Sequence, residues 1–255
     1  MVSAAPLAVY QRSRDVISMS DVERVHFGFI VPPEGSRDAG QPIPVCGYLV
    51  RHPSGLILFD TGFASVDQET RLRYQPRAEP VEQALARVRV RASDVSIVVN
   101  CHLHADHAGG NASFPGIPVY VQQAEVAAAQ RADYTVATHT HRFDGAHLEI
   151  LEGSAEILTG VRIIPTPGHS PGHQVLAVET RDGWLILAGQ AYNSASEFGF
   201  AAYSHRLDRA GLGSVGNVPP WMGEIERLQP TAVYFAHDLG TLARDHADLG
   251  HPVRI

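Results

Sequence analysis

Four side chains able to hold a divalent cation fall within six residues of one segment, Asn100-Cys101-His102-Leu103-His104-Ala105-Asp106-His107-Ala108-Gly109-Gly110. It follows an apolar run, Val95–Val99, that reads as a strand. In an extended segment side chains alternate, so His102 and His104 project to one side, while the adjacent Asp106 and His107 must diverge into a second direction. One short stretch can thereby supply two neighbouring cation sites. Imidazole nitrogen with carboxylate oxygen is a borderline donor set, suited to zinc first and to iron, cobalt or manganese nearly as well. The bland alternative is a surface histidine cluster, with Asp106 capping a helix and Gly109 and Gly110 serving a turn; the density of donors argues against it. More histidines stand just past strand-like runs: His169 and His173 in Thr166-Pro167-Gly168-His169-Ser170-Pro171-Gly172-His173, and His237 in Ala236-His237-Asp238. Open αβ architectures collect ligands at such strand ends. A cation held there lowers the pKa of bound water from about 16 toward about 7 and polarises a carbonyl, so the chemistry implied is hydrolysis of an activated ester.

Strands are expected at Val25–Val31, Val45–Val50, Leu56–Phe59, Val95–Val99 and Val119–Val121. A second series follows at Leu148–Leu151, Val161–Ile164, Gln174–Val178, Trp184–Ala188 and Ala232–Phe235. Helical periodicity marks Pro80–Val88, Gln122–Arg131 and Pro219–Leu228, the last opened by two prolines that suit a first turn. The strands thus form two groups, divided near residue 130, with no linker, charge block or internal repeat between them; residues 1–255 read as one layered αβ domain. Ala191–Asn217, rich in Gly, Ala and Ser and without clear period, reads as a long loop beside the active site or a poorly ordered one.

All 20 basic residues among the 255 are arginine, which excludes lysine Schiff bases and the P-loop lysine. With a net charge of −7 and no basic run, neither nucleic acid nor a membrane surface is an expected partner; a small molecule is. Cys46 and Cys101 form no disulfide framework and are expected as thiols. The short apolar stretch Met1–Tyr10 lacks a positive n-region, and no run approaches 18 apolar residues, so the expected location is cytoplasmic. Oligomeric state is left open.

The histidine segment, Gly47-Tyr48-Leu49-Val50-Arg51-His52-Pro53, Leu58-Phe59-Asp60-Thr61-Gly62-Phe63, the Gly-Gly-Asn of 109–111 and the doubled Pro-Gly-His around His169 and His173 together resemble the metallo-β-lactamase superfamily, with its H-x-H-x-D-H signature, and within it the N-acyl-homoserine lactonase branch. The resemblance runs over most of the chain. It implies a four-layer αβ/βα sandwich with metals at one edge, His102, His104 and His169 on one ion, and Asp106, His107 and His237 on the other. It also implies that Asp60 orients a ligand histidine and that His173 is structural. One departure stands out: where family members carry an aspartate bridging both metals, this chain has Gln190. A neutral amide cannot offset two dications about 3.5–4 Å apart, though its oxygen can ligate one weakly, so one or two zinc ions are expected. Tyr192 lies near the place of a lactonase tyrosine that contacts the substrate carbonyl, offset by one residue.

The function expected is lactone opening by attack of metal-bound hydroxide, with Asp106 shuttling the proton and Tyr192 donating to the carbonyl. Phe198, Phe200 and Tyr203 are candidates to line an acyl pocket. A thioesterase or other ester hydrolase acting on a biosynthetic intermediate, and a metal-poor binding protein of the same fold, are the alternatives. Since His104 is not replaced by glutamate, as in redox members, di-iron electron transfer is disfavoured. Gly168-His169-Ser170-Pro171-Gly172 mimics a nucleophile elbow, but a strand-like run follows where a helix is required. Gly211-Leu212-Gly213-Ser214-Val215-Gly216 mimics a dinucleotide loop with no strand before it. Cys101 reads as a small buried residue, not a ligand.

Overall fold

A computed structural model describes residues 17–36, 38–63, 68–131, 134 and 146–243; the Met1–Tyr10 stretch lies outside them. In chain order the strands are β1 (Val22–Ile30), β2 (Ile43–His52), β3 (Gly55–Phe59), β4 (Arg77–Ala78), β5 (Val95–Val99), β6 (Pro118–Gln122), β7 (His147–Leu151), β8 (Ala155–Leu158), β9 (Val161–Pro165), β10 (Gln174–Thr180), β11 (Gly183–Leu187), β12 (Ala232–Tyr234) and β13 (Thr241–Ala243). The α-helices are α1 (Gln68–Tyr74), α2 (Val81–Arg87), α3 (Ala105–Ala108), α4 (Gln123–Ala129), α5 (Ala195–Arg209) and α6 (Met222–Arg227). Among the described residues no helix is long and apolar enough to cross a membrane.

One sheet runs β4-β1-β2-β3-β5-β6-β7 and the other β13-β12-β11-β10-β9-β8. Side-chain alternation distributes the core among layers. Tyr48, Val50, Ile57, Phe59 and Val99 face Ile163, Leu176, Val178 and Leu187 across the gap between the sheets. The opposite faces of the same strands, through Leu49, Leu58 and Val98, pack on Val81, Ala84 and Leu85 of α2. On the far side Val175, Ala177 and Ile186 meet Phe198 and Ala201 of α5 and Met222 and Ile225 of α6. The result is the expected αβ/βα sandwich, and it explains why the central strands read as continuous apolar runs: both faces are buried.

Two expectations need correction. β7 pairs in parallel with β6, so the boundary between sheets falls after residue 151, not near 130; the parallel partner, and not proximity along the chain, decides which sheet a strand joins. And Ala191–Asn217 is not a loop throughout, because α5 occupies its middle. Ser194 caps that helix, its hydroxyl accepting from the Glu197 N–H at 3.2 Å, while Glu197 reaches back to the Asn193 N–H at 2.9 Å. Phe198, Ala201 and Ala202 supply the buried stripe. The S-x-x-E spacing of a capped helix start was present in the sequence, but small residues made the apolar period faint.

Candidate metal centre

Strand pairing brings distant residues to one edge. β3 and β5 run in parallel with Phe59 opposite Val99, so the residue after each strand, Asp60 and the start of the histidine segment, emerge side by side. β11 and β12 are likewise parallel, with Leu187 opposite Tyr234, which sets Gln190 near His237. The antiparallel β9 and β10 pair Pro165 with Gln174, and the turn between them carries His169 and His173. Within the histidine segment the chain stays extended to His104 and then coils into the single turn of α3, which carries Asp106 and His107 into a second direction.

Two donor groups result. In one, ring nitrogens of His102, His104 and His169 lie within 4.8 Å of one another, with His169 Nε2 3.1 Å from His104 Nδ1. In the other, His107 Nε2 and His237 Nε2 are 3.2 Å apart, and Asp106 Oδ2 lies 3.5 Å from the first and 3.4 Å from the second. Tetrahedral zinc with ligands at about 2.0–2.1 Å places its donors about 3.3 Å apart, so the His104–His169 separation and all three separations of the Asp106 group are close to the edges a four-coordinate ion needs. The groups adjoin: the His102 and His107 rings are 4.2 Å apart between centroids. His102 Nε2 is buried with no hydrogen-bond partner, an orphan that a cation would satisfy. The residues present therefore fit a metal of the zinc class.

The surroundings fix which nitrogen faces inward. Asp60 Oδ2 is 2.9 Å from His107 Nδ1, its other oxygen accepts from the Cys101 N–H at 2.8 Å, and its own backbone is held at φ 64°. His237 Nδ1 donates to the Pro44 carbonyl at 2.8 Å, leaving Nε2 for the centre. Behind His107, the side chains of Asn100 and Thr61 both donate to its carbonyl, and Asn111 ties those two together. Burial, then the neighbouring His107, His104, His169 and His173 rings, hold His102 well below the usual imidazole range. His107 goes the other way: burial opposes its charge, but Asp106 and Asp60 overcome this and raise it to about 9.

The Gln190 side chain accepts from His107 and donates to Asn193 Oδ1 at 3.2 Å, so its amide faces the Asp106 group. His173 sits behind the centre: Nε2 accepts from the Gln190 N–H at 3.1 Å and Nδ1 is 2.7 Å from Thr166 Oγ1. Cys101 is a buried free thiol, donating to Asp60 Oδ2 at 3.1 Å, with burial pushing it well up; its sulfur also lies among His102, His107 and His173. Gly189, at φ 54°, packs where a Cβ would come within 2.4 Å of the Cys101 Cβ.

Tyr192 stands apart from the donor atoms, its ring against Phe198 at 5.8 Å and Trp221 at 6.0 Å. It lines a groove of about 460 Å³ with Glu197, Phe200, Val215 and Asn217. Of the three aromatic candidates for such a pocket only Phe200 lines it; Phe198 is core, and Tyr203 lies elsewhere on α5. Ser170 donates to Glu125, and strand β10 follows it, so no nucleophile elbow forms. Gly211 through Gly216 follow helix α5, not a strand.

Sequence reasoning missed Glu125. Fully buried on α4, it accepts from the Leu103 and Gly172 N–H groups and the Ser170 hydroxyl, tying the histidine segment to the His169 turn. Nothing in Gln122–Arg131 distinguished it from an exposed acidic residue in a first helical turn.

Residues 42–191 match the family model described as the metallo-beta-lactamase superfamily, and the chain belongs to that superfamily. It is a metallo-hydrolase of lactonase-like type. An N-acyl homoserine lactonase of Bacillus cereus is 32% identical over 215 residues, covering 77% of this chain and 82% of the relative. Among solved structures, an N-acyl homoserine lactone hydrolase with the product N-hexanoyl-L-homoserine at its catalytic metal center superposes with a TM-score of 0.67 at 24% identity, covering 88% of this chain and 94% of that one. AidC, a dizinc quorum-quenching lactonase, gives a TM-score of 0.58 at 16% identity, with coverage of 85% and 86%.

Proposed function

We propose that this single-domain chain opens lactones of the N-acyl-homoserine type, with one or two zinc ions held by His102, His104 and His169 and by Asp106, His107 and His237. Gln190 is a weak additional donor. The observation that carries the reading is the pair of adjoining donor groups, the separations within the Asp106 group being those of tetrahedral coordination. The lactonase relatives add the substrate class.

A zinc-class cation bound there supplies a water acidified toward neutral pH and a Lewis acid for the carbonyl. The chain's own residues do the rest. Asp106, with a side chain 16% exposed, is within reach of solvent and of a substrate; it takes the proton released by the attacking water and returns it to the alkoxide as the ring opens. Tyr192 contacts the substrate from the groove wall, and burial holds its hydroxyl in the protonated, donating form. The groove beside it, bounded by Phe200 and Val215, takes the acyl chain.

The test is zinc reconstitution followed by a substrate screen. The chain is expected to retain between one and two equivalents of metal and to open N-acyl-homoserine lactones, with activity lost to chelator and in Asp106→Asn. Turnover of thioesters alone would move the assignment to an ester hydrolase. Failure to take up metal after supplementation would leave a binding protein.

A further inference from the structure

Glu125 and Asp60 are both buried carboxylates at this edge, but they sit behind different donor groups. Asp60 touches a ring, that of His107. Glu125 is bonded instead to backbone and hydroxyl groups beside the three histidines. Its Oε1 accepts from the Leu103 N–H at 3.1 Å, between His102 and His104, and from the Tyr134 hydroxyl. Its Oε2 accepts from the Ser170 hydroxyl and the Gly172 N–H, each at 2.8 Å, just past His169. A Cβ on Gly172 would fall 2.2 Å from the Glu125 nitrogen, so only glycine permits the turn to approach α4 this closely.

We propose that Glu125, with Tyr134, is a positioning clamp specific to the His102, His104 and His169 group, setting the geometry in which those rings hold a metal. The inference rests on the metallo-hydrolase reading above. Tyr134 extends the clamp to a ring: its backbone accepts a hydrogen bond from His104, and the two rings lie 4.9 Å apart. Only a carboxylate serves here. All four partners donate to it, and an ionised carboxylate is acceptor-only at both oxygens. An amide of the same shape must turn its NH2 toward one end of the clamp. The hydroxyls of Ser170 or Tyr134 can rotate to accept it, but the N–H of Gly172 or Leu103 cannot, so one end opens.

Glu125→Gln is therefore the discriminating variant, with Tyr134→Phe as a milder one that retains the carboxylate. Zinc affinity is measured by competition against a chromophoric chelator, and 15N-imidazole NMR identifies which rings lose metal. Removing a group that orients ligands typically costs about 10–100-fold in affinity. Glu125→Gln is expected to lose that much at the three-histidine group and less than about twofold at the Asp106 group, with Tyr134→Phe smaller in the same direction. Metal-free protein adds an independent readout: exchange of the Leu103 or Gly172 amide should accelerate in Glu125→Gln. Unchanged binding at both groups, or equal loss at both, overturns the clamp. Should Glu125→Gln fail to fold, Tyr134→Phe carries the same two outcomes. A wild-type chain that takes up no metal sinks the hydrolase reading and the clamp with it; a wild-type chain that loads normally beside an indifferent variant sinks the clamp alone.

Discussion

The two donor groups differ in charge more than in shape. His102, His104 and His169 form a trio of neutral rings, with His169 exposed and its turn tied down from behind by Glu125. Asp106, His107 and His237 contain a carboxylate, with a second, Asp60, bonded directly to one ring. His107 rises to about 9, against the opposing effect of its burial, because Asp106 and Asp60 surround it with negative charge. A field that stabilises an imidazolium also favours a dication, so the Asp106 group is expected to bind the first equivalent of metal. The lesson is that two sites an ångström-scale distance apart can be held by different physics: one by charge, the other by geometry imposed on neutral rings.

The neutrality of Gln190 keeps that inequality in place, and charging it is the largest perturbation available. The Gln190 side chain bonds His107, whose ring is 4.2 Å from that of His102, so a carboxylate here would add charge beside the junction of the two groups. A unit charge about 4 Å from another is worth about 4 kcal/mol at an effective dielectric of 20, before the cost of burying it. Gln190→Asp is expected to tighten the weaker equivalent of zinc by about a hundredfold, and the tighter one by much less. Equilibrium titration against two chelators of different affinity reads both constants. Two equally tight equivalents in the wild-type chain would break the comparison.

Asp60→Asn acts on the other side and by less. The amide retains an acceptor for His107 Nδ1–H but removes the charge that raises the ligand's basicity, and it must place its NH2 beside the Cys101 thiol or N–H. Loss of such a partner costs about 10–100-fold in metal affinity. The loss should fall on the Asp106 group and leave the three histidines nearly unaffected, the mirror image of Glu125→Gln. Calorimetry on the two variants side by side checks it.

What the sequence revealed of this edge depended on how local each signal was. His102 through His107 sit in one segment, so their density was visible; Asp60 was visible because it ends a strand in a recognisable run. The strands were legible because Tyr48 through Val50 or Ile57 through Phe59 are buried on both faces and read as unbroken apolar runs. Glu125 was not, because its function exists only once β9 and β10 bring Ser170 and Gly172 over α4. Helix α5 failed differently: Gly199 and its alanines thin the apolar stripe, and its start is declared by Ser194 and Glu197, a capping pattern weaker than the composition around it. The membership of β7 could not be read at all, since pairing partner is a property of the assembled sheet.

The smallest expected effect concerns where the substrate lies relative to the two groups. The groove is joined to the Asp106 group by side chains: Gln190 bonds Asn193, the Asn193 N–H bonds Glu197 in the groove wall, and the Ala195 N–H bonds Asp238, next to His237. An acyl chain lying there would place its head toward the Asp106 group. Phe200 is 55% exposed, so truncating it spares the core while removing about half a side chain's worth of apolar contact from a bound chain. Full burial of such a side chain is worth about 1.5–3 kcal/mol, so half is about 1 kcal/mol, roughly fivefold. Phe200→Ser should lower kcat/KM for a long-chain lactone by that factor and leave a short-chain one unchanged. Because the groove adjoins the Asp106 group, the fivefold loss should be the same with one equivalent of zinc as with two. A loss that appears only at two equivalents would place the substrate head on the three-histidine side and reverse the assignment of roles.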